Sequence, residues 1–227
     1  VTGFAAFGAD SVTLRLGTSF LSLEQARANL EAELPRGTTF DEVRDAAQAA
    51  WDEVLSVVSV EGATDDQRVT LASNLYRLFL FPNVAGEEAG LPGERHASPF
   101  LPRVAADDDA GSGLAVVEGG LTVNNGYWDT YRTAWPMLAL LDPERTGRLL
   151  DGVVQHYRES GWTTRWSAPG HVDVMVGTSS DAVLADAAVR GVPGFDLEEA
   201  YDSGLRNASV PPPEPAVGRK GLARSIF

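Results

Sequence analysis

The stretch Asn124-Asn125-Gly126-Tyr127-Trp128-Asp129-Thr130-Tyr131-Arg132-Thr133-Ala134-Trp135-Pro136 sets aromatic rings, a carboxylate, a guanidinium and two amides side by side. A helix that only fills a core carries one apolar stripe and needs none of that polarity. A surface that grips a sugar needs flat apolar faces for the C–H side of a ring, and fixed donors and acceptors for its hydroxyls. Trp128 and Asp129 stand four and three residues before Arg132, so a helix would set all three on one face. The bland alternative is a surface ion pair between Asp129 and Arg132 with the tryptophans in the core. Pro136 predicts a kink or a helix start near its own position.

Upstream, three capping boxes precede three apolar stripes. Ser22 with Gln25 leads Ala26, Leu30 and Leu34 to a stop at Pro35. Thr39 with Glu42 opens a helix through Phe40, Val43, Ala47, Trp51, Val54 and Val58. Thr64 with Gln67 leads Leu71, Leu75, Leu78 and Phe79 to Pro82. Before them, Val12, Leu14 and Leu16 alternate with Thr13 and Arg15, the period-two pattern of a half-buried strand within residues 1–20.

Residues 82–124 read as a long loop with four prolines, the acidic run Asp107-Asp108-Asp109 and a short strand at Leu114–Val117. Downstream, Asp142-Pro143 is an N-cap followed by proline at the first helical position, and Gly161 is the stop. Further helices follow Ser180, up to Gly191, and the cap Asp196 with Glu199. A terminal strand thus feeds about six antiparallel helices, with no βαβ alternation and no phosphate-binding glycine loop. Helical hairpins in series fit a toroid, a solenoid or a bundle.

The 18 basic against 32 acidic residues give a net charge of −14. Nucleic acid is a poor partner, because such binding depends on Lys and Arg neutralising phosphates. Anionic membranes are disfavoured too, and no apolar run approaches the roughly 20 residues of a membrane span. The absence of cysteine excludes disulfides, thiolate nucleophiles and cysteine-ligated zinc. A neutral sugar polymer is indifferent to this charge.

His171-Val172-Asp173 sets two polar side chains on one face of an extended segment, able to serve a metal or a sugar hydroxyl. Trp162 and Trp166 lie nearby and favour a ligand pocket. Asp107–Asp109 lacks the spacing of a calcium-binding loop and reads as solvated. Ser179 and Ser180 have no catalytic partners at a familiar spacing and read as helix caps.

Trp128-Asp129-Thr130-Tyr131-Arg132-Thr133 resembles the signature of glycoside hydrolase family 92, the calcium-dependent exo-α-mannosidases. Ser19-Phe20-Leu21-Ser22 with Gln25-Ala26, Asn29-Leu30 and Glu33 resembles the family's passage from β-sandwich to helix. Phe40-Asp41 with Trp51, Leu75-Tyr76 with Pro82-Asn83, Gly161-Trp162, Met175-Val176-Gly177, Ala185-Asp186-Ala187 and Gly218-Arg219-Lys220 continue the series in order.

The resemblance implies a mainly α fold: the first half of an (α/α)₆ toroid, preceded by the last strand of an N-terminal β-sandwich. Residues 1–20 would end the sandwich, 21–62 form linker helices and 63–227 part of the toroid. The chain, opening at Val1, reads as an internal segment. The resemblance further implies a mannose-containing glycan as substrate, calcium as cofactor, an inverting mechanism and a secreted or periplasmic setting. Asp129 and Arg132 carry over as sugar-hydroxyl contacts and Trp128 as a wall of the pocket, with His171 and Asp173 at its edge. No catalytic acid or base is assigned within the chain.

Two departures stand out. His171-Val172 replaces a Glu-Thr pair common in the family, and Ser179 stands where many members have a histidine. They leave open a mannose-phosphate linkage as the target or a weakened or lost activity; the competing readings of the whole chain are a non-catalytic glycan-binding helical domain and a toroid glycosidase of other sugar specificity.

Overall fold

Side-chain caps start the helices close to where the sequence places them. The computed structural model describes residues 4–104, 112–172, 174, 175 and 177–210. Helix α1 spans Leu23–Glu33, and the Ser22 hydroxyl accepts from the Gln25 backbone at 3.0 Å. The return half of that box is missing, because the Gln25 amide turns instead to Asn29 and to the carbonyl of Ala89. Helices α2 (Phe40–Leu55) and α3 (Asp65–Leu80) carry both halves of their boxes. They pack on each other through Trp51 and Tyr76, whose ring centroids are 4.4 Å apart.

The expected strand at the start does not form a ladder among the described residues. Val12, Leu14 and Leu16 are exposed. Alternation makes a strand only where a neighbour takes up the backbone groups. Here the segment is laid across α1 instead: a Cβ on Gly17 would stand 2.3 Å from the carbonyl of Ala26, and Asn29 donates to the carbonyl of Thr18.

The described residues of the long loop carry more pairing than its composition suggests. It holds β1 (Asn83–Val84), β2 (Arg95–Ala97), β3 (Val116–Glu118) and β4 (Thr122–Val123). The antiparallel pairs are β1 with β4 and β2 with β3, in the register Asn83↔Val123 and His96↔Val117. A third pair joins β5 (Asn125–Gly126) to β6 (Trp166–Ser167). The strand expected at Leu114–Val117 is displaced by about two residues.

Helices α5 (Ala134–Leu141), α6 (Pro143–Ser160), α7 (Ser179–Arg190) and α8 (Leu197–Ser209) make the main core with the short α4 (Tyr127–Thr130). Its centre is Leu150, Val153 and Val154 of α6, closed by Val183 and Leu184 of α7 and by Trp135. Each such side chain contributes roughly 1.5–3 kcal/mol when removed from water. Helix α6 begins as expected, with Asp142 capping Arg145 and Pro143 first in the helix, and ends at Gly161 in the left-handed conformation. Ser180 is buried inside the first turn of α7 rather than capping it, and Thr178 takes the cap position with its hydroxyl donating to the Asp181 carboxylate instead of accepting from a backbone N–H of the first turn.

Helix α6 meets its neighbours at backbone distance. A Cβ on Gly147 would fall 1.6 Å from the carbonyl oxygen of Pro193, and one on Gly152 2.4 Å from the Thr122 hydroxyl. No described helix is long and apolar enough to cross a membrane.

Candidate glycan-binding site

The signature stretch is not one helix. It passes from β5 into α4, turns, and restarts as α5. Thr133, at φ −130° and ψ −85°, breaks the path. Pro136 then sits in the first turn of α5, where its missing N–H has no intrahelical partner to lose. The Thr130 hydroxyl donates to the Gly126 carbonyl at 2.8 Å and the Thr133 hydroxyl to the Asp129 carbonyl at 3.1 Å, which tightens α4.

This path sorts the aromatics. Tyr127 and Trp135 are buried and lie nearly parallel, centroids 6.2 Å apart. Trp128 stays 46% exposed, with Asp129 and Arg132 also at the surface. The single helical face expected for the three is corrected: Trp128 and Asp129 lie on α4, whereas Arg132 lies in the turn that follows. Among the described residues no ion pair joins Asp129 to Arg132. The guanidinium lies instead over the Tyr131 ring, Cζ 4.8 Å from its centroid. The carboxylate and the guanidinium therefore both remain available to a ligand.

Gly126 brings a further indole to this mouth. A Cβ there would stand 2.2 Å from Trp166 Nε1 and 2.6 Å from Asp129 Oδ2, so the indole N–H and the carboxylate converge over one bare α-carbon. Pairing of Gly126 with Trp166 across β5 and β6 fixes that approach. Trp166, expected beside His171 and Asp173, stands instead at this mouth. Trp162 does not: it is buried, with Arg206 stacked over its ring at 4.9 Å.

His171 is tied to the strand that carries Trp166, through its bridge to Ser167 and the bond from the Val172 N–H to the Trp166 carbonyl. Its Nε2 lies 2.8 Å from the Ser160 hydroxyl, and its ring packs on Phe100 and His156. It therefore supports the strand beneath the mouth. Asp173 and Asp107–Asp109 lie outside the described residues. Among the described residues no group of three or more His, Asp or Glu stands together to hold a metal ion. The calcium implied by the resemblance thus finds no ligand set there, and no step is assigned to it.

A buried polar cluster escaped sequence reasoning. Glu159 of α6 accepts from His96 Nε2 at 2.8 Å, from the Ser98 hydroxyl at 2.5 Å and from the Gln155 amide at 2.9 Å. The other nitrogen of His96 faces the carbonyl of Gly119 at 2.7 Å. Both ring nitrogens therefore meet acceptors, which calls for the doubly protonated ring. Burial pulls the His96 pKa down, but the bonds to Glu159 and Gly119 outweigh it and leave it raised. Burial likewise lifts Glu159, yet the donors from His96, Ser98 and Gln155 hold it below the ordinary carboxylate value.

His156, one helical step away, behaves oppositely. Its Nε2 donates to the Thr122 carbonyl at 2.7 Å, and full burial drives its pKa down to about 4. Two histidines within one scaffold are thus held in opposite charge states. A sequence signal for the cluster is lacking, because His96 and Glu159 are 63 residues apart.

Residues 25–226 match the glycosyl hydrolase family 92 catalytic domain, and the chain belongs to that family. It is similar to a solved family GH92 inverting mannosidase of Bacteroides thetaiotaomicron VPI-5482, 32% identical, with a TM-score of 0.79, covering 90% of this chain and 26% of that one. A second solved protein, a family GH92 α-mannosidase of Bacteroides thetaiotaomicron, shares the fold at 22% identity and a TM-score of 0.66, over 84% of this chain and 24% of that one. An uncharacterized secreted glycosidase of Arthroderma benhamiae is 26% identical over 226 residues, 95% of this chain and 22% of its own length. The chain thus spans about a quarter of the length of these relatives.

Proposed function

We propose that this chain forms part of an exo-acting glycoside hydrolase that removes terminal α-linked mannose from glycans with inversion at the anomeric carbon. The observation that carries the reading is the convergence of Trp166 and the Asp129 carboxylate over Gly126, with Trp128 exposed next to Asp129 in the chain and no ion pair from Asp129 to Arg132 among the described residues, on the signature of a family whose solved members include mannosidases. The exposed Trp128 ring suits the apolar face of a pyranose. Asp129 and Arg132 suit its hydroxyls, as charge-assisted acceptor and planar donor fork.

Inversion needs an acid and a base roughly 6.5–9.5 Å apart. In this proposal both come from parts of the longer polypeptide beyond these residues, as do the ligands of any calcium ion. The first half of an (α/α)₆ toroid after a β-sandwich, and a secreted or periplasmic setting, belong to the same proposal. The secreted glycosidase noted above supports the latter.

The test is Asp129→Asn in the polypeptide that carries this chain. Loss of one charge-assisted hydrogen bond, roughly 1.5–3 kcal/mol, should lower kcat/KM on an α-mannoside about ten- to a hundredfold. Unchanged kcat/KM would remove Asp129 from the sugar site.

A further inference from the structure

The chain has three histidines, and all three meet the last turns of α6. His156 belongs to that helix, His96 pairs with Glu159, and His171 pairs with the next residue, Ser160. Phe100 touches two of them, its ring centroid 5.2 Å from that of His156 and 4.7 Å from that of His171. Phe100 is itself held, since the Ser98 hydroxyl that donates to Glu159 also accepts from the Phe100 N–H at 3.2 Å. Glu159 and Ser160 thus grip one packed group from two sides.

The surroundings of Ser160 set the direction of its bond to His171. A hydroxyl has one proton and two lone pairs. The proton has two carbonyl oxygens to choose from, that of His156 at 2.6 Å and that of Trp162 at 3.0 Å. The lone pairs accept from the Trp162 N–H at 3.1 Å and face His171 Nε2 at 2.8 Å. A proton turned toward His171 would leave lone pairs opposite both carbonyls. His171 therefore donates through its Nε2–H, and Ser160 accepts.

From His171 the tie reaches the sugar mouth in one step. His171 bridges Ser167, and the Val172 N–H donates to the Trp166 carbonyl at 2.9 Å. The same carbonyl accepts the Thr164 hydroxyl at 2.5 Å. On its other side Trp166 pairs with Gly126 of β5. Strand β6 is thus held between β5 and a segment that His171 fastens to α6. The Trp166 side of the mouth is only half-buried, so the aim of the indole depends on the backbone that carries it.

We propose that His171 is a positioning residue for the sugar site: its bond to Ser160 holds β6 where the Trp166 indole meets the Asp129 carboxylate over Gly126. This rests on the mannoside reading above, and it has His171 act on the sugar through Trp166 rather than by touching it.

The test is a double-mutant cycle in the polypeptide that carries this chain, with an α-linked mannose disaccharide as substrate. His171→Leu keeps an apolar contact for Phe100 but offers Ser160 no proton, and should lower kcat/KM about ten- to a hundredfold, the scale of a small misplacement. Trp166→Phe should lower it by itself. Adding His171→Leu to Trp166→Phe should then cost less than about twofold more, because residues that act as one unit are not additive. Losses that multiply would overturn the proposal, and so would an unchanged kcat/KM in either single variant. Should His171→Leu fail to fold, Ser160→Ala takes its place in the cycle with the same expectation. If no α-mannoside is turned over, the mannosidase reading fails by itself. The positioning is then read from ¹⁹F resonances after labelling with 5-fluorotryptophan, each resonance identified by its loss in a Trp→Phe variant. His171→Leu or Ser160→Ala should shift the Trp166 resonance and leave that of Trp51, on α2, in place. An unmoved Trp166 resonance, or a shift of both, would overturn the proposal.

Discussion

A Cβ on Gly126 would stand 2.2 Å from the indole nitrogen of Trp166, a distance no real side chain tolerates. The backbone of Gly126 is ordinary, at φ −101° and ψ 108°, so the requirement for glycine here is one of space alone. Gly126→Ala should push Trp166 and Asp129 apart at a cost of about 1–3 kcal/mol, as overpacking does elsewhere. The near-ultraviolet circular dichroism of the tryptophans should change while the far-ultraviolet helical signal stays. In the polypeptide that carries this chain, kcat/KM on an α-mannoside should drop. Wild-type spectra and turnover in this variant would remove the convergence as a working feature.

Arg132→Lys keeps the positive charge but loses the planar fork and the stacking on Tyr131. Because Arg132 makes no ion pair with Asp129 among the described residues, the melting temperature should hold. The Michaelis constant or the turnover number should suffer. A variant that melts early with normal kinetics would mark Arg132 as a structural residue.

The two buried histidines predict where stability peaks. His156 has its pKa lowered from 6.5 to about 4, so between those values the unfolded chain binds a proton that the folded chain refuses. Stability should therefore fall on acidification below 6.5, by up to about 1.4 kcal/mol per pH unit. His96 has its pKa raised, so its contribution is complete below 6.5 and is lost as pH rises through its folded value. Glu159, lowered, loses its contribution only at more acid pH, below the usual carboxylate value. The maximum should lie near the ordinary histidine pKa. Urea titrations across pH should show it, and His156→Gln should flatten the acid limb alone.

Gly147 inverts a familiar rule. In a helix interior, glycine to alanine normally adds up to about 1 kcal/mol of stability. Here the new methyl would meet the Pro193 carbonyl, a backbone atom that cannot swing aside. Gly147→Ala should therefore lower the melting temperature, and a rise would show that the loop between α7 and α8 yields easily.

Calcium offers an independent check on how the longer enzyme is divided. With no cluster of ligands among the described residues, the isolated chain should show weak or no calcium binding in calorimetry, and its melting should be indifferent to a chelator. Tight binding would mean that Asp107–Asp109 or Asp173 had been misjudged.

Helices were legible because their caps are local. Thr39 with Glu42, Thr64 with Gln67 and Asp196 with Glu199 each act within one turn, and the structure makes these bonds. The signature stretch was legible as a mark of the family but not in shape. Its helical spacing concealed both the break at Thr133 and the pairing of β5 with the distant β6. Strands of two or three residues carry no period to detect. The buried cluster around Glu159 arises from packing across the chain, and neither Trp166 over Gly126 nor His96 beside Glu159 follows from neighbours in sequence.

The outer side of α1 has one more consequence. Gln25 and Asn29 anchor that helix through bonds to Ala89, Thr18 and Glu87, whereas Ala32 and Glu33, a turn further on, are exposed and make no such bonds among the described residues. Asn29 both holds the helix and lines the cavity of about 800 Å³ beside it, whereas Ala32 and Glu33 line that cavity without anchoring the helix. Drift at the second pair leaves the anchor untouched, so this surface can change through one or two substitutions without the destabilisation that changes in a core exact. Diversity among relatives should gather there before it touches Gly126.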